Sequence, residues 1–261
     1  PSDMIVLAAR PSLGKTSLAL NIARNAALNQ QFKYSVAIFS LEMGKDQVAM
    51  RLLSSEAKVD TVRLRGGTLS DEENQRISDK IGELSEAPIY IDDSPLLSAV
   101  EMRSKAHRLH MSKGIHLLIL DYMQLMGGDS RIENRVQEMS QISRSIKGLA
   151  RDLNVPVIAI SQLSRAIEMR PSPSEPRLSD LRESGSIEQD ADVVAFIHRP
   201  DRTFTEDQWY RHQTNQGTSE PYPKNIAELI LAKHRHGPVG RVTLYFEEQY
   251  ARFQPATRRV T

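Results

Sequence analysis

The sequence predicts an α/β fold built on a mostly parallel, twisted β-sheet with helices on both faces. Short apolar runs alternate with longer helical patterns through the first two thirds of the chain. Near-continuous apolar strands are typical of sheets that are buried on both faces, which are mostly parallel. The length of 261 residues and the hydrophobic fraction of 39% suffice for one large core, so we expect one domain over residues 1–261.

The alternation of strands and helices can be placed along the chain. Strands are expected at residues 4–8, 35–39, 89–91, 116–120, 156–160 and 192–197. Helices are expected at residues 15–29, 46–57, 71–86, 99–112 and 136–153. Two of these helices begin with a capping box, in which a serine and a glutamate three residues later satisfy free amides at the helix start. The pairs are Ser70 with Glu73 and Ser98 with Glu101.

The last third of the chain has a different pattern. Residues 166–177 are rich in proline, serine and charge, and residues 199–224 are polar, so we expect long loops in both places. Residues 226–233 and 241–246 are predicted to form a β-hairpin that turns at His236-Gly237-Pro238.

Composition limits the classes of protein and partner. With 34 basic and 33 acidic residues, the net charge neither favours nor excludes a nucleic-acid partner. The absence of cysteine excludes disulfides and thiolate metal sites. No apolar run approaches the roughly 20 residues that span a bilayer, and no signal peptide opens the chain, so we expect a cytoplasmic protein without membrane contact. Because the chain opens directly on an apolar strand, we expect natural sequence to precede it.

Residues 9–16, Ala-Arg-Pro-Ser-Leu-Gly-Lys-Thr, have the spacing of the Walker A phosphate loop, with alanine in place of its first glycine. The segment follows an apolar strand and opens a helix, where backbone amides and the helix dipole attract a phosphate. Gly14 lets the backbone approach closely, Lys15 reaches the β- and γ-phosphates, and Thr16 binds Mg²⁺. Ser12 and Ser17 belong to the same predicted nucleotide site. We expect the Lys15 side chain to be partly exposed.

Three further polar residues follow predicted strands. Asp121 ends the apolar run 115–120, and at the carboxyl edge of a parallel sheet it lies beside the phosphate loop, where it can hold Mg²⁺ through water. Alone it would more simply be a turn residue or a helix cap. Glu42 could polarise a water for attack on the γ-phosphate, or it could be an acid at a helix start. Gln162 could sense the γ-phosphate or cap a loop.

Taken in order, these segments resemble the RecA-like ATPase domain of the DnaB family of replicative DNA helicases. The matching segments are ARPSLGKT (9–16), FSLEM (39–43), LLILDYMQL (117–125), AISQLSR (159–165), LSDLRESGSIEQDAD (178–192) and KHRHGPVG (233–240). They span nearly the whole chain in family order, and segment 178–192 is the most specific. The resemblance implies a RecA-like P-loop NTPase that hydrolyses ATP with Mg²⁺ and unwinds DNA in the 5′→3′ direction.

The resemblance also implies roles for residues whose types alone leave alternatives open. Glu42 is implied to be the catalytic carboxylate, and Gln162 to link the γ-phosphate to loops on the DNA side. Arg51 matches a family arginine near the nucleotide, although an exposed helix face explains it nearly as well.

Two groups of residues are implied to act outside the phosphate loop. Arg182, Glu183 and Gly185 match the family segment that contacts the single-strand backbone, a kind of contact that needs no base recognition. Lys233 and Arg235 match a basic hairpin that reaches the nucleotide of the neighbouring subunit, as an arginine finger does.

The partners implied are single-stranded DNA, further copies of the chain in a hexameric ring, a helicase loader and primase. His236 stands where the family often has asparagine, and both suit a turn. The family's N-terminal helical domain, which binds primase, and its linker helix are not in this sequence. We therefore expect the primase contact to be lost, and robust ring assembly cannot be carried over from the family to this chain.

Other classes of protein would be expected to differ at particular residues. A recombinase or clock-type ATPase with the same core would share Lys15 and Asp121 but lack segment 178–192. A non-hydrolysing, ATP-gated assembly module would need neither Glu42 nor Arg235. A metabolic kinase would need an acceptor pocket and a lid, for which the sequence indicates no residues.

Overall fold

A nine-stranded β-sheet forms the centre of the structure, a computed structural model that describes residues 1–126, 135–170 and 175–256. The strands are β1 (Met4–Ala9), β2 (Val36–Ser40), β3 (Ile89–Asp92), β4 (Leu117–Asp121), β5 (Val157–Gln162), β6 (Val193–His198), β7 (Ile226–His234), β8 (Gly240–Glu247) and β9 (Arg252–Pro255). The α-helices are α1 (Lys15–Ala27), α2 (Lys45–Ala57), α3 (Thr61–Gly66), α4 (Asp71–Glu86), α5 (Ala99–Lys113), α6 (Arg135–Leu153), α7 (Gly185–Asp190), α8 (Pro200–Thr203) and α9 (Glu206–Gln216).

The strand order is β3-β2-β4-β5-β1-β6-β7-β8-β9. Strands β1 to β6 pair in parallel, and β6, β7, β8 and β9 pair antiparallel. The predicted α/β architecture and the C-terminal hairpin are therefore confirmed. Because the first six strands run the same way, their carboxyl ends lie along one edge of the sheet.

Both faces of the sheet are buried under helices, which explains the continuous apolar strands. Strand β1 supplies Met4, Val6 and Ala8 to one core cluster and Leu7 and Ala9 to the other, as expected from the alternation of side chains along a strand. Apolar residues of α5 and α6 cover the first face, and those of α1 and α2 cover the second. No helix in the described parts of the chain is long and apolar enough to cross a membrane.

Helices α4 and α5 begin with the predicted capping boxes. Ser70 N–H donates to Glu73 Oε2 over 2.8 Å, and Glu73 N–H donates back to Ser70 Oγ over 3.3 Å. Ser98 and Glu101 exchange the equivalent pair of hydrogen bonds. Both boxes are confirmed.

The prediction of a long loop over residues 199–224 is wrong, because α8 and α9 lie there. Thr205 caps α9 by accepting from Gln208 N–H, and Gly217, with φ of 69°, ends it. Phe204 packs against the ring of Trp209 at 5.7 Å and that of His212 at 5.1 Å. Helix α9 is held by this aromatic cluster and by its caps. Its sequence has no apolar stripe of the kind that identifies most helices, which is why it was not predicted.

Strand β9 was not predicted, and it packs against the phosphate loop. Phe253 N–H donates to Asn21 Oδ1 over 2.7 Å, and the Phe253 ring lies 4.4 Å from that of Phe246. Gly14 has φ of +96°, and a Cβ there would lie 2.8 Å from Phe253 Cζ. Glycine at this position is therefore required both by the backbone angle and by the packed ring.

Candidate nucleotide-binding site

The register of the parallel strands brings four strand ends together at the carboxyl edge. Ala9, which opens the phosphate loop, pairs with Gln162 at the end of β5. Ser40 at the end of β2 pairs with Asp121 at the end of β4, and Leu41 N–H donates to the Asp121 carbonyl over 2.7 Å. The segments that follow these strands therefore converge on one place.

A cavity of about 240 Å³ lies where these segments meet. Its lining includes all but one of the residues predicted for this edge, namely Ser12, Gly14, Lys15, Thr16, Ser17, Glu42, Arg51 and Gln162, together with Pro11 and Met43. The exception is Asp121, which contacts Thr16 beneath the cavity. The structure thus collects in one pocket residues that are spread over more than half of the sequence.

The backbone of the phosphate loop turns so that amides remain available to an anion. Ser12 and Gly14 both have positive φ, 63° and 96° respectively. No side chain among the described residues caps the start of α1, which begins at Lys15. The first amides of a helix need partners, and a phosphate supplies them where no side chain does.

The prediction that Lys15 is partly exposed is wrong, since only 9% of it is accessible. The Lys15 Nζ turns back towards the Ala9 carbonyl at 3.4 Å. Burial lowers the pKa of Lys15, and the negative charges of Asp121 and Glu42 oppose this effect. An anion brought into the loop would stabilise the charged ammonium group.

Asp121 is buried and incompletely hydrogen-bonded. Its Oδ2 accepts from Thr16 Oγ1 over 2.6 Å, whereas Oδ1 has no hydrogen-bond partner among the described residues. Burial raises the pKa of Asp121, and the charge of Glu42 raises it further, against the Thr16 hydrogen bond and Lys15. Carboxylate and hydroxyl oxygens suit Mg²⁺, and the buried oxygen without a partner fits such an ion.

Glu42 and Arg51 flank the opening of the cavity. Glu42 is exposed, and its charge contributes to the raised pKa of both Asp121 and Tyr122. Arg51 is half-buried in α2, and its positive charge acts to lower the pKa of Asp121. The site therefore has a carboxylate that water can reach and a cation on the same side.

Two residues that the sequence analysis missed hold the end of β5. The Gln124 side chain donates to Ser161 Oγ over 2.8 Å and to the Gln162 carbonyl over 3.2 Å, and it accepts from Gln162 N–H over 3.3 Å. Arg10 donates to the Leu163 carbonyl over 2.8 Å. Gln124 and Arg10 lie within segments 117–125 and 9–16, which the sequence analysis identified. Only the strand register shows that their side chains hold the peptides around Gln162.

Lys233 and Arg235 lie away from the cavity, at the amino edge of the parallel strands. Arg235 N–H donates to the Asp192 carbonyl, and Asp192 N–H donates to the Met4 carbonyl at the start of β1. The phosphate loop begins at the other end of β1, roughly 16 Å away along the strand. An arginine side chain does not span that distance, so these two cations are remote from the phosphate loop of their own chain.

The predicted DNA-contacting residues are only partly described. The backbone of Arg182 and Glu183 belongs to a 3₁₀ helix over Leu178–Ser184, but their side chains lie outside the described part of the structure. Gly185 is the first residue of α7 and is exposed. The 3₁₀ helix is connected to the cavity, since Ser164 N–H, just after β5, donates to the Asp180 carbonyl over 3.2 Å.

Two replicative helicases are close relatives in sequence. The chain is 47% identical over 259 residues to the replicative DNA helicase DnaC of Bacillus subtilis (strain 168) and 48% identical over 259 residues to DnaB of Geobacillus stearothermophilus. Each alignment covers 99% of this chain and 53% of the relative. The chain therefore spans about half the length of these curated relatives.

Solved structures and the family model agree with these sequence matches. A solved ATPase domain superposes with a TM-score of 0.85 at 37% identity, over 98% of this chain and 85% of that chain. A DnaB-like replicative helicase, described with its interactions with primase, gives a TM-score of 0.85 at 37% identity, over 98% of this chain and 58% of the other. The family model of the DnaB-like helicase C-terminal domain matches residues 1–255. The chain belongs to the DnaB-like helicase C-terminal domain family.

Proposed function

We propose that this chain is the motor domain of a replicative DNA helicase, which hydrolyses ATP at the subunit interfaces of a ring to move along single-stranded DNA and unwind duplex at the replication fork. One observation carries this proposal. The residues suited to binding a nucleotide and to activating a water for its hydrolysis share one cavity. Lys233 and Arg235 would complete that site, but they lie at the opposite edge of the sheet. Such a division suits a site shared between neighbouring subunits.

Binding of the triphosphate is assigned to the phosphate loop. The amides at the start of α1 and the Lys15 ammonium group would hold the β- and γ-phosphates. Thr16 and Asp121 would hold Mg²⁺, whose charge offsets that of the phosphates and orients them. The unpartnered Asp121 Oδ1 and the uncapped helix start support this assignment.

Hydrolysis is assigned to Glu42 and the side chains around it. Glu42 is exposed at the cavity, so it can take a proton from a water that attacks the γ-phosphate. Gln162 would contact the γ-phosphate, and Gln124 holds the Gln162 peptide in place. A change at Gln162 could reach the 3₁₀ helix that contains Arg182, because the nearby Ser164 is hydrogen-bonded to that helix. Arg51 would add positive charge on the same side.

Lys233 and Arg235 are assigned to the nucleotide of the neighbouring subunit. A heterologous, head-to-tail contact repeated around a ring presents one edge of each subunit to the other edge of the next. The amino-edge cations of one subunit would then meet the phosphate loop of its neighbour, and a guanidinium at the γ-phosphate stabilises the charge of the transition state. We propose a closed ring of identical subunits on this basis, with six subunits as the resemblance to the DnaB family implies.

The further partners follow from the same proposal. Single-stranded DNA would contact Arg182, Glu183 and Gly185 along its backbone, and a helicase loader would place the ring on DNA. We propose primase as a partner of the whole protein, because a solved relative is described with its interactions with primase. The site of action would be the cytoplasm.

Arg182→Ala is expected to weaken single-strand binding by a similar factor for all base compositions. A lost phosphate contact removes one released counterion, so the slope of log affinity against log salt should fall by about 0.7. Titration of homopolymeric oligonucleotides at several salt concentrations measures both effects. A change confined to one base composition would mean that this segment recognises bases.

Strand displacement on a forked duplex tests the proposed function. With ATP, rings assembled on the single-stranded tail should release the labelled strand, and a non-hydrolysable ATP analogue should not support release. Lys15→Ala is the matched control, since it should leave assembly on DNA possible while abolishing turnover. ATP hydrolysis without strand release by intact rings would assign the chain to another ATP-driven activity.

A further inference from the structure

Asp192, at the amino end of β6, is a buried carboxylate with three defined partners. It is 2% exposed. Its Oδ2 accepts from Met4 N–H over 2.8 Å and from Lys147 Nζ, and its Oδ1 accepts from Arg235 Nη1 over 2.9 Å. The main chain repeats the connection, since Arg235 N–H donates to the Asp192 carbonyl over 2.8 Å. Arg235 is thus held at both its backbone and its side chain by one residue.

The charge of this carboxylate is maintained despite its burial. Burial alone would raise the pKa of Asp192, but the hydrogen bonds from Lys147 and Met4 and the charges of Lys147 and Arg235 lower it overall. Met4 belongs to the central strand β1 and Lys147 to α6, so the carboxylate is fixed to the core of the domain. A group tied to the core in this way provides a rigid support for a side chain at the surface.

A second support comes from the end of α7. Arg235 Nη2 donates to the Gln189 carbonyl over 3.1 Å. Lys233 Nζ donates to the carbonyls of Glu188 over 2.6 Å and Ala191 over 2.7 Å. The last carbonyls of a helix lack partners within it, and cations stabilise them. The β7 end and the α7 end therefore form one unit, and Gly185, predicted to contact DNA, lies at the other end of the same helix.

The supports leave much of the Arg235 guanidinium available. The side chain is 45% exposed. A guanidinium has five N–H donors, and the contacts with Asp192 and Gln189 use one donor from each terminal nitrogen. A cation that is already oriented stabilises a transition state without the cost of reorganisation during the reaction.

We propose that Asp192 is a positioning residue that orients Arg235 towards the γ-phosphate of the neighbouring subunit. The inference rests on the proposed function, in which Arg235 acts between subunits. Asp192 itself touches no substrate. Its effect should therefore appear in the hydrolysis catalysed by the next subunit and not in ATP binding by its own.

The test uses Asp192→Asn in rings assembled on single-stranded DNA. ATP affinity should stay unchanged, while turnover should fall about a hundredfold, the size of effect expected when a catalytic group is displaced by about 1 Å. Glu228→Gln is the matched control, because Glu228 is another carboxylate of the sheet and pairs with Arg241, an arginine of the same hairpin. Turnover of Glu228→Gln should stay within about threefold of normal.

Mixing separates a positioning role from a general structural one. Asp192→Asn subunits keep an intact phosphate loop, and Lys15→Ala subunits keep an intact Arg235 with its support. Mixed rings should regain part of the turnover, because some interfaces then combine an intact phosphate loop with a correctly supported Arg235. The inference is overturned if mixed rings of Asp192→Asn and Lys15→Ala stay inactive although mixed rings of Arg235→Ala and Lys15→Ala regain turnover. Near-normal turnover of folded Asp192→Asn would overturn it as well. Should that variant not fold, Asp192→Glu, which keeps the charge but displaces Arg235, is judged by the same two outcomes.

The outcomes also distinguish this inference from the proposed function. If Arg235→Ala itself retains normal turnover, the proposed action of Arg235 between subunits fails, and the role of Asp192 fails with it. If Arg235→Ala is inactive and is complemented by Lys15→Ala while Asp192→Asn is fully active, only the inference about Asp192 fails.

Discussion

Arg235→Ala is expected to lower ATP hydrolysis by about 10³- to 10⁵-fold and to leave ATP affinity unchanged, the effect of losing an arginine finger. The physical reason is the position of Arg235, which lies at the amino edge of the sheet and contacts none of the residues that line the cavity of its own chain. Its removal should therefore affect the transition state in the neighbouring subunit only. Steady-state turnover and nucleotide titration of rings on single-stranded DNA measure the two quantities.

Arg241→Ala is the control for Arg235→Ala. Both arginines belong to the same hairpin and are similarly exposed, with 43% of the Arg241 side chain and 45% of the Arg235 side chain accessible. Arg241 pairs with Glu175 and Glu228, and it is expected to change turnover only slightly. Equal losses in the two variants would indicate that hairpin stability, and not a cation at the γ-phosphate, is what matters.

Complementation locates the Arg235 effect. Arg235→Ala and Lys15→Ala are each expected to be inactive, but mixed rings contain interfaces with an intact phosphate loop from one and an intact Arg235 from the other. Partial turnover should return on mixing. If mixed rings form and stay inactive, subunits linked in one polypeptide with a single Arg235→Ala decide whether the site is complete within one chain or whether hydrolysis needs every interface.

Glu42→Gln is expected to lower hydrolysis about a hundredfold or more while ATP still binds. Glutamine keeps the shape and hydrogen-bonding capacity of the side chain but cannot accept the proton of the attacking water, and general-base catalysis contributes about 10²- to 10⁴-fold. Single-turnover hydrolysis and nucleotide titration separate the chemical step from binding. Glu72→Gln, at an exposed acid in the first turn of α4, should have no effect.

Loss of ATP binding in Glu42→Gln would contradict this role. Glu42 would then be a structural residue or a ligand of the metal ion, and another carboxylate would have to act as the base. The alternative in which Glu42 is only an acid near the start of α2 predicts a small loss of stability with normal turnover, which a thermal melt together with the same assay would reveal.

The elements that sequence analysis predicts well are those with a strong local signal. Strands β1 to β6 are continuous apolar runs because helices cover both faces, and the phosphate loop combines a strand, a glycine and a helix start within a few residues. Parallel pairing then places Asp121 and Gln162 beside the phosphate loop without further information. This is why most of the cavity could be anticipated.

The contacts that sequence analysis missed depend on tertiary packing. Nothing local shows that Gln124 bonds to the peptide of Gln162 or that Asp192 supports Arg235, because each pair comes together only through strand register. Strand β9 has four residues and is fixed by the packing of Phe253 on Gly14. The exposure of Lys15 was overestimated for the same reason, since the walls of the cavity come from distant segments.

ATP turnover measured with and without single-stranded DNA tests whether this domain is a motor that moves along DNA. We expect measurable turnover that rises when single-stranded DNA is added, and we expect Lys15→Ala to lose turnover under both conditions. Absence of turnover in folded protein that binds ATP, with or without DNA, would identify a nucleotide-gated assembly module. Turnover that is indifferent to single-stranded DNA in assembled rings would contradict a motor that moves along it.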